Sequence, residues 1–331
     1  MVRRTLRLTV TVVLFVIVVA GVAWSALALW FDGPRSRVLA GTMCVAIGFA
    51  SVLWVALIRP FSRGLLAASL PVVGVALWWA SLAPSNSRNW TPDVARTAQA
   101  AFHDASVAIQ NVRNFRYRSE SDYDQRWESR TYDLDRVRGV DLFLSYWGPT
   151  QIAHTIASWE FDGGQHLAIS IETRKEKGEA YSALRGFFRQ YELYYVVADE
   201  RDLVGVRTSY RGEQVYLYRI RVSASQARDL LVDYLNEVNR LAGHPQWYNA
   251  LTQNCTTRIR WHARNTGAGG RLDWRLLANG HLDRLLYERG QIDTRLPFEE
   301  LRARSNITER AKAAGDSPDF SARIRQGLPR L

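Results

Sequence analysis

Two cysteines occur in the 331 residues, Cys44 and Cys255. Cys44 lies inside an apolar run, which rules out a disulfide with its polar-segment counterpart and leaves Cys255 as a free thiol. Thr252-Gln253-Asn254 precedes Cys255, and Asn254 is a good N-cap, so the spacing puts the cysteine in the first turn of a helix ending near Asn265 before Gly267. There the helix dipole and unpaired amides favour a thiolate. The same amides can donate to an oxyanion formed when that thiolate attacks a carbonyl. A buried, inert thiol is the plainer alternative, since free cysteine is among the most buried residue types.

A thiolate nucleophile needs a base, and six histidines are available. His103 and His281 fall in expected helices and His244 in a helix-ending loop. His262 lies seven residues beyond Cys255, about 10 Å along the same helix, too far for a direct hydrogen bond. His154 opens an apolar strand, and Asp162-Gly163-Gly164-Gln165 turns it into a return strand opened by His166. Counting from that turn separates the two histidines by about 20 Å and brings Glu172 or Thr173 level with His154. Glu172 in that place would hold the second imidazole nitrogen, the third role of a triad; one residue of turn length decides between the two. His166 reads as structural.

Other candidates are weaker. Arg174 shares a strand face with Glu172 and could hold a substrate phosphate or orient that carboxylate, though a solvated salt bridge is the commoner state. Tyr191 is a candidate substrate contact within an aromatic series (Tyr181, Phe187, Phe188, Tyr194, Tyr195) that reads more readily as core. Asp199-Glu200-Arg201-Asp202 reads as a loop of solvated charge, dense enough to brace a site. No CxxC, HExxH, GxSxG or P-loop pattern occurs, so neither metal nor cofactor is expected, and Gly267–Gly270 reads as a linker.

These residues sit in the second of two unlike pieces. Residues 1–82 carry seven Arg and one Asp, and contain uncharged apolar stretches at Leu8–Trp30, Val38–Ile58 and Leu65–Leu82. Each is long enough for a hydrocarbon core ~30 Å thick. Arg3, Arg4, Arg7, Arg59 and Arg63 flank one side against Arg35 and Arg37 on the other, which predicts a cytoplasmic N-terminus and an extracytoplasmic location for residues 83–331. Nothing ionisable interrupts the spans, so an anchor is expected rather than a transporter. The outer piece is near charge balance without a basic stripe, which speaks against a nucleic-acid partner.

Beyond the linker 83–88, Thr91-Pro92-Asp93 predicts an amphipathic helix to about Ile109. Strands are expected at 115–118, 127–134, 142–147, 152–161, 167–174, 193–198 and 215–222. Ser223 with Gln226 predicts a capping box for a helix to about Leu241, and short helices are expected at 273–279 and 281–288. The expected fold is α+β, with an antiparallel sheet following three transmembrane helices.

Trp147-Gly148, Ala153-His154-Thr155, Ile169–Arg174, Phe188–Glu192, Ala198–Asp202 and Tyr248–Thr257 together resemble the Lnb N-terminal periplasmic domain family. The resemblance covers most of residues 90–320. It implies a bacterial envelope protein with a circularly permuted papain-like fold, the histidine strand preceding the cysteine helix; with the three spans, the expected location is the inner membrane, the domain facing the periplasm. Lecithin:retinol acyltransferase-like and NlpC-type enzymes are similar. The enzymes that give the family its name move an acyl chain from a lipoprotein's diacylglyceryl group to its N-terminal amine, leaving a lyso form. Carried onto this chain, Cys255 matches the nucleophile, His154 the base and Glu172 a recurrent acidic position. The expected function is thiol acyl transfer or hydrolysis on a membrane lipid or lipoprotein. Cleavage of envelope peptide or murein amides, and a non-catalytic scaffold, are the alternatives.

Overall fold

The computed structural model describes residues 2–267, 273–276 and 278–329 and forms two compact units. Gly269 and Gly270 of the expected linker lie outside the described residues.

The first unit comprises residues 1–84 and 182–191. Helices α1 (Val2–Asp32), α2 (Arg37–Leu57) and α3 (Phe61–Ser81) are each long and apolar enough to cross a membrane. Their packing is small-to-large, with Leu65 and Ala68 of α3 against Val18 of α1. The opposite faces leave Leu8, Val12, Val45 and Leu70 more than half exposed, which is unfavourable in water and suited to hydrocarbon. Asp32 is satisfied at the end of α1. Trp79 Nε1 donates to Oδ2 at 2.7 Å and Gln190 Nε2 to Oδ1 at 2.8 Å. In the same patch Phe188 packs on Phe31.

The second unit is α+β, built on one eight-stranded sheet in the order β1-β2-β9-β8-β7-β6-β10, with β5 also paired to β2. Its strands are β1 (Gln99–His103), β2 (Ser106–Arg113), β5 (Trp127–Asp133), β6 (Val137–Tyr146), β7 (His154–Phe161), β8 (His166–Arg174), β9 (Glu192–Ala198) and β10 (Gln214–Arg219). A two-stranded ribbon, β3 (Arg116–Tyr117) with β4 (Tyr123–Asp124), stands apart. The pairs are antiparallel except where β2 meets β9, joined in parallel at Arg113 and Ala198. All of β9 is buried, as expected of a strand covered on both faces. One face packs Phe143, Ile156 and Leu217 against Leu203 of α4 (Glu200–Gly205), Ala311 of α9 (Thr308–Ala314) and Phe320 of α10 (Phe320–Ile324). On the other, Trp159 is fully buried and donates to the Ala227 carbonyl of α5 (Ala224–Gly243). The Ser223–Gln226 capping box opens α5. Helices α6 (Cys255–Asn265), α7 (Leu282–Glu288) and α8 (Phe298–Ser305) complete the unit.

Two expectations fail. The helix predicted from Pro92 is a single turn, Pro92–Val94, followed by the β1–β2 hairpin. Pairing of β2 with both β1 and β5 buries Val107 and Ile109, and this tertiary gain overrides the local start signal. Residues 199–202 are no solvated loop. Asp199 caps α4, Glu200 and Asp202 are buried, and each pairs with an arginine from afar, half-buried Arg325 and buried Arg113.

Candidate active site

The hairpin turn uses Gly163 and Gly164, both at positive φ, and sets Ile156 opposite Ser170. Two residues further along each strand, His154 therefore comes level with Glu172. Their side chains meet, His154 Nε2 lying 3.1 Å from Glu172 Oε1. Ser170 stands between them, 2.6 Å from Nε2 and donating to the same carboxylate oxygen at 2.7 Å. Thr173, the other expected partner, points to the opposite face of β8. His166 occupies the far end of that strand, paired with Glu160 and bonded to the Gly164 carbonyl.

Asn254 caps α6 as the sequence predicts, accepting from the Thr257 amide at 2.9 Å. A capping side chain of this kind contributes about 1 kcal/mol. It fixes Cys255 at the first helical position, and the thiol hydrogen-bonds His154. Because Nε2 faces Ser170 and Glu172, the sulfur takes Nδ1. The strand's imidazole and the helix's thiol thus meet, 101 residues apart in sequence.

Electrostatics favour an ion pair. Burial alone would depress the His154 imidazole, but the Glu172 charge and the bonds to Cys255 and Glu172 outweigh it and raise it to about 9. Burial raises the Cys255 thiol, yet His154, the Thr155 amide and the Thr256 hydroxyl bring it below its ordinary value. Glu172 is held well below the usual carboxylate range despite burial, by His154 and Arg207. The favoured state is thiolate, imidazolium and carboxylate in a row.

Several contributors were not read from sequence. Arg207 is 3% exposed and donates to Glu172 Oε1 at 2.7 Å. It sits on a π-helical turn, Val206–Tyr210, continuing α4, a geometry that leaves no periodic signature. Ser170 lay hidden in an apolar run. Tyr181 and Tyr248 hydrogen-bond one another within electrostatic reach of the sulfur. Asn279 Nδ2 lies 3.9 Å from Cys255 Sγ.

Other candidates fall elsewhere. Arg174 is no substrate contact. It is 2% exposed, donates to the Val94 and Ala95 carbonyls and to Asn86, and stacks on Trp90 and Tyr194. The expected exposed cation is a brace for the segment entering the sheet. Tyr191 is fully buried, its hydroxyl accepting from the Ser182 amide, so it closes the 182–191 loop rather than presenting a surface to substrate. His262 is also buried, between Asp233 at 2.6 Å and Tyr195 at 2.8 Å, and burial with nearby Arg258 holds it below its ordinary value.

The histidine strand precedes the cysteine helix, the order that the resemblance implied. Residues 123–280 match the Lnb N-terminal periplasmic domain family. That span holds the whole Cys255–His154–Glu172–Arg207 constellation. No curated protein and no solved structure gives a significant match to the chain. A match to a periplasmic domain family, preceded by three helices long and apolar enough to cross a membrane, fits a membrane-anchored envelope protein with a periplasmic-type C-terminal domain.

Proposed function

We propose that this protein is a bacterial inner-membrane cysteine acyltransferase or hydrolase, acting on acyl esters of membrane lipid or lipoprotein at the periplasmic face. The carrying observation is a first-turn thiol hydrogen-bonded to an imidazole that is itself backed by a carboxylate. The Cys255 thiolate attacks the ester carbonyl, forming a C–S bond and a tetrahedral oxyanion. With Asn254 occupying the Thr257 amide, the Cys255 and Thr256 amides of the first turn are the oxyanion donors. Collapse breaks the C–O bond, and imidazolium His154 gives its proton to the departing alkoxide. Neutral His154 then takes a proton from an incoming amine or water, which attacks the thioester and releases the thiolate. Glu172 keeps the imidazole oriented throughout.

Support for a lipid substrate comes from the apolar anchor and from the family's namesake chemistry. The test is to incubate full-length protein and its Cys255→Ala variant with phospholipid vesicles or a diacylated lipopeptide, following intact mass and products. A thioester-linked acyl adduct on the wild type alone is expected. Peptide-bond products without acyl release would overturn the lipid reading in favour of an amidase, and no covalent species from any substrate would overturn the enzyme.

A further inference from the structure

The residues on either side of the reacting pair share one unassigned partner. Ala153 immediately precedes His154, and Thr256 immediately follows Cys255. Asn279, 5% exposed, accepts from the Ala153 amide through Oδ1 at 2.9 Å. Its Nδ2 donates back to the Ala153 carbonyl at 2.5 Å and to Thr256 Oγ1 at 2.6 Å. Its carboxamide therefore mimics a neighbouring strand for Ala153, one residue outside the β6–β7 ladder, which ends at His154. Backbone contacts extend this grip. Gly280 N–H donates to the Gln151 carbonyl at 3.0 Å, and Tyr146 Oη–H donates to the Gly280 carbonyl at 2.9 Å. Approach is so close that a Cβ on Gly280 would stand 2.0 Å from the Thr150 oxygen.

We propose that Asn279 is the positioning residue of the thiol–imidazole pair, a staple that holds the base's strand against the nucleophile's helix. The inference rests on that pair being the reacting one. Chemistry explains the residue type. The site needs one acceptor and two donors on a planar group, which only a carboxamide supplies; a carboxylate lacks the donors, and glutamine is one methylene longer. Both Nδ2 protons are committed, to Ala153 and Thr256, so the 3.9 Å approach to Sγ is a secondary contact to a thiolate rather than an oxyanion donor. Without the staple, the first turn of α6 and the start of β7 are free to separate. The hydrogen bond that favours the thiolate then weakens.

The test needs no substrate. In full-length protein with Cys44→Ser, the rate of Cys255 alkylation by iodoacetamide is measured against pH for wild type, Asn279→Ala and Asn279→Asp. The expected result is an upward move of the ionisation midpoint in both variants. One pH unit reads as about tenfold slower alkylation at pH 6. The move is larger for Asn279→Asp, which adds a negative charge beside the sulfur. Melting temperatures are recorded alongside. A lowered melting temperature with an unchanged midpoint would show a merely structural asparagine and overturn the proposal. Should Asn279→Ala not fold, Asn279→Gln keeps the carboxamide but displaces it by one methylene from Ala153 and Thr256, and carries the same prediction with a smaller shift. Because thiol ionisation is read directly, absence of acyl transfer with a shifted midpoint defeats the proposed activity and leaves the staple standing.

Discussion

Replacing Glu172 by glutamine is the most direct probe of the charge arrangement. The carboxylate lies 3.1 Å from His154 Nε2. At an effective dielectric of ~20 an ion pair at that distance is worth about 5 kcal/mol before desolvation is set against it. The net outcome is an imidazole at about 9 where 6.5 is ordinary. In Glu172→Gln, burial and the Arg207 charge remain, and both depress the imidazole. Only the Cys255 hydrogen bond then supports the cation, so His154 should titrate well below 9 and lose much of its positive charge at physiological pH. An opposite charge at this range commonly moves a partner by 1–3 pH units, so Cys255 loses its cationic neighbour and its alkylation at pH 6.5 should slow by ~10- to 1,000-fold. Glutamine retains an oxygen to accept from Ser170, so the hairpin geometry persists. Iodoacetamide pH–rate profiles by intact mass, in Cys44→Ser protein, give the readout. Superimposable curves for variant and wild type would refute the view that this carboxylate sets the thiol's ionisation.

Four further outcomes follow from the same geometry. The proposed acyl transfer should fall above about pH 9, as His154 loses the proton destined for the leaving alkoxide; a kcat/KM profile still rising at pH 10 would contradict this. Glu172, being depressed, contributes stability that is present above its ordinary 4.5 and lost on acidification, so the melting-temperature gap between wild type and Glu172→Gln should close below about pH 4. Arg207→Met leaves that carboxylate without its buried cation and should cost about 3–5 kcal/mol in denaturant unfolding, while moving the alkaline limb upward because Arg207 opposes imidazole protonation. Gly280→Ala should cost about 1–3 kcal/mol through overpacking against Thr150 and should slow Cys255 alkylation.

Local rules carried much of the site. An N-cap, a capping box and a Gly-Gly turn depend on adjacent residues, so Asn254, Ser223 and the 162–165 hairpin were legible, and hairpin counting narrowed the partner of His154 to Glu172 or Thr173. What stayed hidden depends on contacts remote in sequence. Arg207 reaches Glu172 across 35 residues, and Asn279 reaches Ala153 across 126. Arg174 looked like an exposed cation because strand alternation cannot reveal that Trp90 and the Val94 carbonyl arrive from elsewhere to cover it. Helices α8 to α10 were overlooked for a similar reason. They are 8, 7 and 5 residues long, too short for a periodic signal, and are made helical by packing.

The chain order of the parts has a bearing on biogenesis. A hairpin bearing the imidazole can form as soon as residues 154–174 have left the translocation channel, whereas the sulfur follows about eighty residues later and its clasp later still. A half-exported polypeptide therefore carries a thiol not yet clasped to its imidazole. Potency arrives only with the last stretch of the domain. Chains truncated before residue 279 should alkylate like a free cysteine.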